Sequence, residues 1–598
     1  MFRLEKNKHS CEFINGAERL RISFVTAEIV RVSYIEGDSF KDATSRVVGK
    51  LPDFSNFQFE ESEESVIIKT GAIQLRISKE SGAICFMDVH ENVLLQESLN
   101  GGKRLTRKEV YRNVYARDGK VSTGQSIDGA RAEGEASERV FDRHAFEAKL
   151  EFSFADDEAI FGLGSHEEGY CNLRGKMQRL YQQNMKMVVP CLTSSKIYGL
   201  LWDCSSSMIF DDTSGICSWW AECVDQVDYY FYTGADASAV AKNYYTLTGT
   251  PPMLPRWAFG YVQSKERYVN AEEILEVARE YRRRNIPLDM LVLDWKSWPD
   301  GNGWGQKSFD PARFPDPKAF LDELHAMDVK LMVSIWPIMS GGCPNQIELR
   351  ERGLMLGNQS TYNAFDPTGR ETYWQQARDG LFAHGVDAWW CDCTEPFEAD
   401  WFGEVKPEPE PRMAMNTDQA KRYIDEGETI AYSLLHSQGI YDGQRSVTDE
   451  KRVVNLTRSS HAGQHRYSTV SWSGDICATW DVLRSSIPEG VNFCATGEPY
   501  WTVDIGAFFV GGDSENRWFW KGDYDAGCRG LGPMEGTEPI ANDNGCTDLG
   551  YWELYTRWLQ YGCFLPMFRS HGTDAAREIW RFGDEGNRFY DTIAKFIR

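Results

Sequence analysis

The sequence lacks the features of a membrane protein and of a nucleic-acid binder. In 598 residues we find no apolar run of about 18 residues that could span a bilayer. The charged N-terminus is not followed by the apolar segment of a secretion signal, so we expect a soluble protein with the cytoplasm as its default location. The net charge of −24 would repel phosphate backbones and anionic lipids. Nucleic acid and membrane surfaces are therefore poor candidates as partners, and a neutral substrate fits better.

Cysteine patterns for metals and disulfides are also missing. The 15 cysteines are scattered without paired metal spacing, which indicates buried reduced thiols rather than a disulfide framework. One residue separates Cys391 from Cys393, whereas structural zinc sites need four ligands and wider pairs. We find no metal-ligand spacing and no glycine loop that could cradle a phosphate.

The first part of the chain has the pattern of antiparallel strands. Apolar residues alternate with polar ones in short runs bounded by Gly, Asn, Asp and Ser, as at Leu20, Ile22 and Phe24. This predicts an N-terminal antiparallel β-sandwich domain over residues 1–247. The segment 248–257 contains three prolines, which disfavour a helix or a central strand, and is interpreted as a linker.

Residues 248–598 alternate apolar strands with amphipathic helices. One helix is predicted to start at Asn270, with Glu273 completing a capping box. Continuous apolar runs are typical of parallel strands that are buried on both faces, and eight of them predict a (β/α)8 TIM barrel, an α/β fold, with a doubly wound open sheet as the alternative. The eight predicted strands lie in the segments 258–263, 288–295, 330–337, 386–392, 452–457, 468–475, 500–506 and 564–572.

Polar residues follow these strands at their C-terminal ends, where barrel enzymes place their chemistry. Asp392 follows two tryptophans and a cysteine, and Asp475 follows Trp-Ser-Gly. A carboxylate among apolar groups is costly unless it is compensated, which indicates selection for function. Two carboxylates that face each other across a barrel mouth are what glycoside hydrolysis needs. Taken singly, each aspartate is equally consistent with a helix cap or with a partner of an arginine.

Longer motifs resemble one family. WWCDCTEP around Asp392 and TRSSHAGQHRYSTVSWSGD, which ends at Asp475, are similar to the nucleophile and acid/base motifs of glycoside hydrolase family 31, the α-glucosidase and α-xylosidase family. Further similar segments are FGLG at 161–164, LPRWAFGYVQSKERY at 254–268, DIGAF at 504–508 and FRSHG at 568–572. The resemblance implies a retaining α-glycosidase that needs no cofactor and no metal and acts on an oligosaccharide or a small α-glycoside.

The resemblance also implies roles for individual residues. Asp392 resembles the nucleophile and Asp475 the general acid/base, whose environment should raise its pKa so that it stays protonated until it donates. The residues that resemble the family's sugar-binding set are Asp294, Trp336, Trp390, Arg458, Trp472, Asp504, Phe508 and His571.

Several of these polar residues also have purely structural interpretations. Arg458 could pair with the C-terminus of a helix, and His571 could be an ordinary buried histidine. Asp504 is expected to order the pocket rather than to take part in chemistry. Glu395 either orients its neighbours or caps a helix, and Asp387 is interpreted as a polar residue at the start of a strand.

The identity of the sugar in the substrate is indicated only by bulky residues. Trp295 and Trp298, in LDWKSW at 293–298, resemble the α-xylosidase-like branch, as does YNAFDP at 362–367. A tryptophan at the edge of the sugar site could fill the space of a C6 hydroxymethyl group, which favours α-xylosides. An α-glucosidase is the alternative, and an α-galactosidase or α-N-acetylgalactosaminidase stays open.

Other classes stay open too. A non-catalytic carbohydrate-binding protein on a hydrolase barrel would be expected to lack a carboxylate, and a lyase would release an unsaturated sugar. Compared with the family pattern, the sequence ends inside the last barrel helix and lacks the C-terminal β-domains, so we expect a truncated barrel. The charged segment 397–440 is either a lid that shapes the leaving-group site or a surface insertion. A homo-oligomer is possible for a hydrolase of this size.

Overall fold

The structure is a computed structural model that describes residues 1–598 except 42–43, 117–118, 127–128, 296, 300–302, 514 and 526–544. The N-terminal part is all β up to residue 233. Its strands are β1 Arg3–Lys6, β2 Ser10–Asn15, β3 Glu18–Phe24, β4 Ile29–Glu36, β5 Gln58–Glu61, β6 Ser65–Lys69, β7 Ile73–Ser78, β8 Ile84–Asp88, β9 Val93–Glu97, β10 Lys103–Val114, β11 Val121–Ser126, β12 Gly129–Gly134, β13 Glu138–Ser153, β14 Ile160–Ser165, β15 Met177–Leu180, β16 Met187–Ser194, β17 Tyr198–Trp202, β18 Met208–Asp211, β19 Cys217–Val224 and β20 Val227–Thr233.

Two antiparallel sheets of this β-domain pack face to face. One has the strand order β1-β2-β3-β4-β20-β17-β16-β14. The other runs β15-β18-β19-β13-β9-β8-β7-β6-β5, with β10 also paired to β13. Alternate residues such as Leu20, Ile22 and Phe24 enter the core between the sheets, as period-two alternation requires. The predicted β-sandwich is confirmed.

The second part is a barrel of parallel strands. The strand order is β27-β26-β25-β24-β23-β22-β21-β28, and a parallel bridge from Ile505 to Ser570 links the two ends. All eight strands lie within the segments predicted from the sequence, so the predicted TIM barrel is confirmed. The strands are β21 Tyr261–Gln263, β22 Met290–Leu293, β23 Lys330–Ile335, β24 Ala388–Cys391, β25 Asn455–Thr457, β26 Thr469–Trp472, β27 Trp501–Thr502 and β28 Phe568–Ser570.

Helices connect the strands and cover the barrel. The predicted cap at Asn270 is present, because its side chain accepts from the Glu273 backbone N–H. Glu273 reaches back as predicted, but to the N–H of Val269, one residue before the cap. The boundary predicted between residues 247 and 248 lies at the end of the first helix. The helices are α1 Ala237–Thr248, α2 Ala271–Arg283, α3 Pro317–Ala326, α4 Pro344–Glu351, α5 Pro367–Gly380, α6 Pro409–Tyr423, α7 Tyr432–Val447, α8 Trp480–Ala495, α9 Leu549–Gly562 and α10 Arg588–Ile597, with 3-10 turns at Arg256–Phe259, Phe382–His384, Gln464–Tyr467 and Ile579–Phe582.

The alternation of side chains along the barrel strands determines what enters the interior. In β22, Met290 and Val292 belong to the inner core, whereas Leu291 and Leu293 pack outward against the helix layer. Asp294, just beyond the strand, is the next residue whose side chain this alternation directs into the barrel interior. Three other strands lead in the same way to Asp392 after β24, Arg458 after β25 and His571 after β28.

The segment 397–440 is largely helical. It contains α6 and the first half of α7. Arg412 of α6 is buried and pairs with Asp400 and with Glu167 of the β-domain. This segment is therefore packed between the two domains and is not a loosely attached surface insertion.

Two further observations bear on the whole chain. Among the described residues, no helix has the length and apolar character needed to cross a membrane. The 14 described cysteines are all free thiols, and all but one are at least partly buried.

The FGLG segment lies in β14 and requires glycine for space. At Gly164, where φ is +105°, a Cβ atom would lie 2.0 Å from the Met187 carbonyl oxygen of the paired strand β16. We expect Gly164→Ala to lower the free energy of unfolding by about 3 kcal/mol or more, since strained φ angles and overpacking each cost about 1–3 kcal/mol. Urea unfolding would measure it.

Gly175 supplies the control for this substitution. Its φ is +69°, but a Cβ atom there would meet nothing within 4 Å. Gly175→Ala should therefore cost only the strain of the left-handed backbone, about 1–2 kcal/mol. Equal losses in the two variants would contradict the steric explanation.

Candidate active site

A pocket opens at the C-terminal ends of the barrel strands, with about 450 Å³ of unoccupied space. Most of its wall is aromatic, and carboxyl groups enter from several strand ends. Of the residues predicted from the sequence, Asp294, Trp336, Trp390, Asp392, Asp475, Phe508 and His571 line it. The complete lining is Glu266, Asp294, Trp295, Trp304, Trp336, Trp390, Asp392, Asp475, Phe508, Phe509, Trp520 and His571.

One buried guanidinium, Arg458, joins the two predicted catalytic carboxylates. Its Nε lies 3.4 Å from Oδ1 of Asp392, and its Nη1 donates to Oδ2 of Asp475 at 3.1 Å. Nη2 and Nε also donate to Oε1 of Glu395, at 2.6 and 3.0 Å. Arg458 is 1% exposed, so three acidic side chains share one desolvated positive charge. Arg458 and Glu395 therefore pair with each other next to the two predicted catalytic carboxylates.

The Arg458 contact bears on the expected state of Asp475. A guanidinium beside a carboxylate stabilises its charged form, whereas the acid role requires a proton on Asp475 before the leaving group departs. The expectation that the environment of Asp475 raises its pKa stays a prediction, and the Arg458 contact acts in the opposite direction. Asp475 also accepts a hydrogen bond from Asn184 of the β-domain at 2.7 Å.

Asp294 lies beside the predicted nucleophile. Its Oδ1 accepts from the Trp295 backbone N–H at 2.6 Å. Burial, together with the negative charges of Asp392 and Glu266, raises the pKa of Asp294 well above its usual value. Burial likewise raises the pKa of Glu266, which accepts from the Trp295 indole N–H at 2.7 Å. In both groups, burial thus favours the neutral acid form more than it would be favoured in an exposed carboxyl group.

His571 is held as a neutral imidazole. Its Nδ1 lies 2.7 Å from the Ser264 hydroxyl. Burial, with Arg569 and Arg577 nearby, lowers the pKa of His571 well below its usual value. Nε2 has no hydrogen-bond partner among the described residues and lies 3.8 Å from Oδ2 of Asp294. A buried nitrogen without a partner at a pocket wall is suited to a ligand hydroxyl.

Stacked tryptophans form one side of the pocket. Trp295 stacks on Trp304 with ring centroids 4.9 Å apart, and Trp304 meets Trp298 and Trp336 edge-on at 5.4 and 5.2 Å. The guanidinium of Arg267 lies 4.3 Å from the Trp295 ring centroid. Trp295 is thus fixed through its ring faces and its indole nitrogen. Lys296, within the same LDWKSW motif, lies outside the described residues.

Two of the predicted sugar-binding residues lie beneath the pocket rather than in its wall. Trp472 packs edge-on against Trp390 at 5.3 Å. Asp504 pairs with Arg569 where both are fully buried, and burial raises the pKa of Asp504 to about 6. The Arg569 guanidinium lies 4.9 Å from the Trp390 ring centroid. Both residues support the floor of the pocket.

Sequence reasoning missed several residues of the site. Glu266 lies in the QSKERY part of the segment 254–268, but the sequence did not indicate that its side chain enters the pocket. Trp304 and Trp520 lie in long loops without periodicity, and Phe509 follows the DIGAF motif directly. Asp387, in contrast, accepts from the Leu331 backbone N–H and lies 2.7 Å from His325 Nε2, away from the pocket lining.

A larger cavity, of about 1120 Å³, lies between the β-domain and residues 425–428. Three of its arginines are already paired with acids, Arg31 with Asp228, Arg46 with Glu428 and Arg143 with Asp425. It contains neither predicted catalytic carboxylate, so the smaller aromatic pocket is the candidate active site. Within the described part of the chain, no cluster of His, Cys, Asp and Glu is arranged to hold a metal ion.

Removing the guanidinium of Arg458 should destabilise the folded protein. We expect Arg458→Met to lower the free energy of unfolding by about 3–5 kcal/mol, because it leaves buried carboxylates without their counter-charge. Arg458→Lys keeps a charge but cannot span all three acids, so its loss should be smaller. Urea unfolding of the two variants and the wild type would measure this. An Arg458→Met protein with wild-type stability would contradict it.

The neutral state of His571 predicts a pH effect on stability. Its folded pKa is below the unfolded value of about 6.5, so its contribution is complete above that pH and is lost as the pH falls through 6.5 toward the folded pKa. The wild type should therefore lose stability relative to His571→Gln between pH 7.5 and 5, by up to about 1.4 kcal/mol per pH unit. His90→Gln at an exposed site should show no such difference. Parallel stability curves for wild type and His571→Gln would refute the prediction.

Several known proteins are similar to this chain. An α-xylosidase of Saccharolobus solfataricus is 35% identical over 462 residues, which cover 76% of this chain and 57% of that protein. Alpha-glucosidase 2 of Bacillus thermoamyloliquefaciens is 23% identical over 620 residues, covering 100% and 69%. The crystal structure of an α-xylosidase from a soil metagenome, complexed with xylose, superimposes with a TM-score of 0.77 at 26% identity, covering 100% of this chain and 83% of that one.

Family patterns match both parts of the chain. Residues 19–211 match the glycosyl hydrolase 31 N-terminal galactose mutarotase-like domain. Residues 251–598 match the glycosyl hydrolases family 31 TIM-barrel domain, which is more than half of the chain. The chain therefore belongs to glycoside hydrolase family 31.

Proposed function

We propose that this protein is a retaining, exo-acting α-glycosidase that hydrolyses terminal non-reducing α-linked sugars, with α-D-xylosides as its main substrates. The observation that carries the proposal is the pair Asp392 and Asp475, which enter one aromatic pocket while both contact the guanidinium of Arg458. Retaining glycosidases need a close pair of carboxyl groups, and a shared guanidinium supports a short separation.

In the proposed reaction, Asp392 attacks the anomeric carbon and Asp475 protonates the departing glycosidic oxygen. The C–O bond to the leaving group breaks as the bond to Asp392 forms, giving a covalent glycosyl-enzyme. Asp475, now a carboxylate, then removes a proton from water, which attacks the same carbon and releases Asp392. Arg458 contacts both acids in the free protein, so it stabilises negative charge on whichever carboxylate carries it.

Asp294 and His571 supply polar contacts for the sugar. The raised pKa of Asp294 and the lowered pKa of His571 leave both side chains biased toward neutral forms, which can bind hydroxyl groups without adding charge. Trp390 and Phe508 flank the His571 ring, at 4.7 and 5.6 Å, and offer apolar surface to the C–H faces of a sugar. A pocket with such walls on several sides suits a chain end and supports exo action.

The preference for xylose is proposed from the stacked tryptophans that form one side of the pocket. Trp295 is fixed by Trp304, Arg267 and Glu266, so it would not readily move aside for a hydroxymethyl group at C6. A group of that size changes binding by about 1–3 kcal/mol, so glucosides should react more slowly without being excluded. The name of the Saccharolobus relative favours α-xylosides, and that of the Bacillus relative makes α-glucosides the second candidate.

A panel of p-nitrophenyl glycosides would test the proposal. We expect release of nitrophenol from the α-xyloside, with slower release from the α-glucoside and still less from the α-galactoside and α-N-acetylgalactosaminide. Asp392→Ala should reduce this to background because no nucleophile is left. Asp379→Ala, at an exposed position of α5, is the matched control and should retain full activity.

Product analysis separates the remaining classes. NMR during hydrolysis should detect the α-anomer of xylose first, as double displacement requires. The β-anomer as first product would show inversion, and an unsaturated sugar would indicate a lyase. Binding of xylosides without turnover would indicate a carbohydrate-binding protein, and no activity on any α-glycoside would overturn the proposal.

A further inference from the structure

The β-domain reaches the acid/base through the loop of residues 181–186, which joins β15 to β16. Gln182 anchors this loop beside Arg458, because its Oε1 accepts from the Ser459 hydroxyl at 2.6 Å and its Nε2 donates to the Ser460 carbonyl at 2.7 Å. Asn184, which is fully buried, makes the next contact with the barrel. The loop is thus held at the ends of two adjacent strands, β25 and β26.

Asn184 holds Asp475 at two points. Its Nδ2 donates to Oδ2 of Asp475 at 2.7 Å, and its Oδ1 accepts from the Asp475 backbone N–H at 3.1 Å. A backbone N–H can only donate, so it fixes which end of the amide is the oxygen. The amide N–H must then face the carboxylate. Two bonds between the same two residues restrict both the position and the rotation of the acid/base.

The backbone of the motif TVSWSGD is built to admit this loop. Trp472 follows the inward alternation of β26, but Gly474, at φ +75°, turns the chain before Asp475. A Cβ atom on Gly474 would lie 2.5 Å from Oδ1 of Asn184 and 2.5 Å from the Met185 backbone nitrogen. Glycine is required here for both the turn and the close approach.

We propose that Asn184 is a positioning residue for acid catalysis, supplied to the barrel by the β-domain. It holds the Asp475 carboxyl group toward the glycosidic oxygen through its two hydrogen bonds. This inference rests on the proposed glycosidase function. It extends that function to a residue outside the pocket lining, since Asn184 does not line the pocket.

The charges around Asp475 determine what a change at Asn184 would do. On the barrel side, Arg458 contacts Asp475 and is shared with Asp392 and Glu395. On the side of the loop, Lys186 is directed away, with Nζ 3.3 Å from His166 Nδ1 and 3.8 Å from Glu168. A negative charge placed at position 184 would therefore act directly on Asp475, where like charges disfavour loss of a proton.

The test compares good and poor leaving groups. A p-nitrophenolate departs without much help, whereas an alkyl alcohol needs the proton from the acid. We expect Asn184→Ala to lower kcat/KM for methyl α-xyloside by about 10-fold or more, a part of the 10²–10⁴-fold that acid/base groups contribute. The loss for p-nitrophenyl α-xyloside should be less than about threefold. Asn184→Asp should move the basic limb of the pH profile upward by about one unit or more.

Asn492 is the matched control. It makes the same kind of two-point bond between the domains, donating to the Gly162 carbonyl and accepting from the Gly162 N–H, both at 2.6 Å. It lies in α8 and is 2% exposed. Asn492→Ala should lower stability to a similar extent, measured by thermal unfolding, with equal effects on the two substrates and an unchanged pH profile.

The outcomes separate this inference from the proposed function. A wild-type protein without α-glycosidase activity would overturn the proposed function. An active wild type whose Asn184→Ala variant loses activity equally on both substrates, or on neither, would overturn the positioning role. An unmoved basic limb in Asn184→Asp, with the protein folded, would also overturn it.

Discussion

The alternation of side chains along the closed barrel is the constraint on which the site depends. A closed parallel sheet has one interior, and every second residue of each strand must enter it. Below, that interior is filled by apolar side chains such as Met290 and Val292. At the strand ends, the same parity delivers Asp294, Asp392 and His571 into the pocket. The active site is therefore the top layer of the barrel core, where apolar residues give way to polar ones.

Polar groups in such a layer must compensate one another, since water cannot. Two buried arginines do this at different depths. Arg569 pairs with Asp504 beneath the floor, and Arg458 pairs with Asp392, Glu395 and Asp475 at pocket level. At Asp294 and His571 the charged form is disfavoured instead. Burial and neighbouring acids raise the pKa of Asp294, and burial together with Arg569 and Arg577 lowers that of His571. The network therefore fixes both the positions and the protonation preferences of the groups that would meet a sugar.

Most of the barrel could be predicted from the sequence because its signals are local. Continuous apolar runs marked all eight strands, and a polar residue directly after such a run marked Asp392. The resemblance to family 31 also indicated Arg458 and His571 as residues of the site. Their partners could not be predicted. The bond from His571 to Ser264 joins the ends of the last and first strands and depends on closure of the barrel, and the bond from Arg458 to Asp475 depends on the register between β25 and β26.

Loops limited what could be predicted about the pocket wall. Trp304 and Trp520 lie in loops without a periodic pattern of apolar residues, so the sequence did not indicate that both line the pocket. Trp472 and Asp504 resemble members of the family's sugar-binding set, but in the structure neither lines the pocket. The expectation that Asp504 orders the pocket agrees with its pairing with Arg569 beneath the floor. Residues 397–440 have the composition of a solvated segment, yet Arg412 buries its charge there by pairing with acids from both domains.

The loop 181–186 changes what counts as the catalytic unit. Asn184 and Asp475 are 291 residues apart in the sequence and belong to different domains. The barrel supplies the proposed nucleophile and sugar-binding groups, whereas the proposed acid/base, Asp475, accepts a hydrogen bond from an amide of the sandwich. Loss of the Asn184 side chain would leave every residue of the barrel unchanged and still remove both of its hydrogen bonds to Asp475. The contact between the two folds therefore reaches the edge of the candidate active site at Asp475.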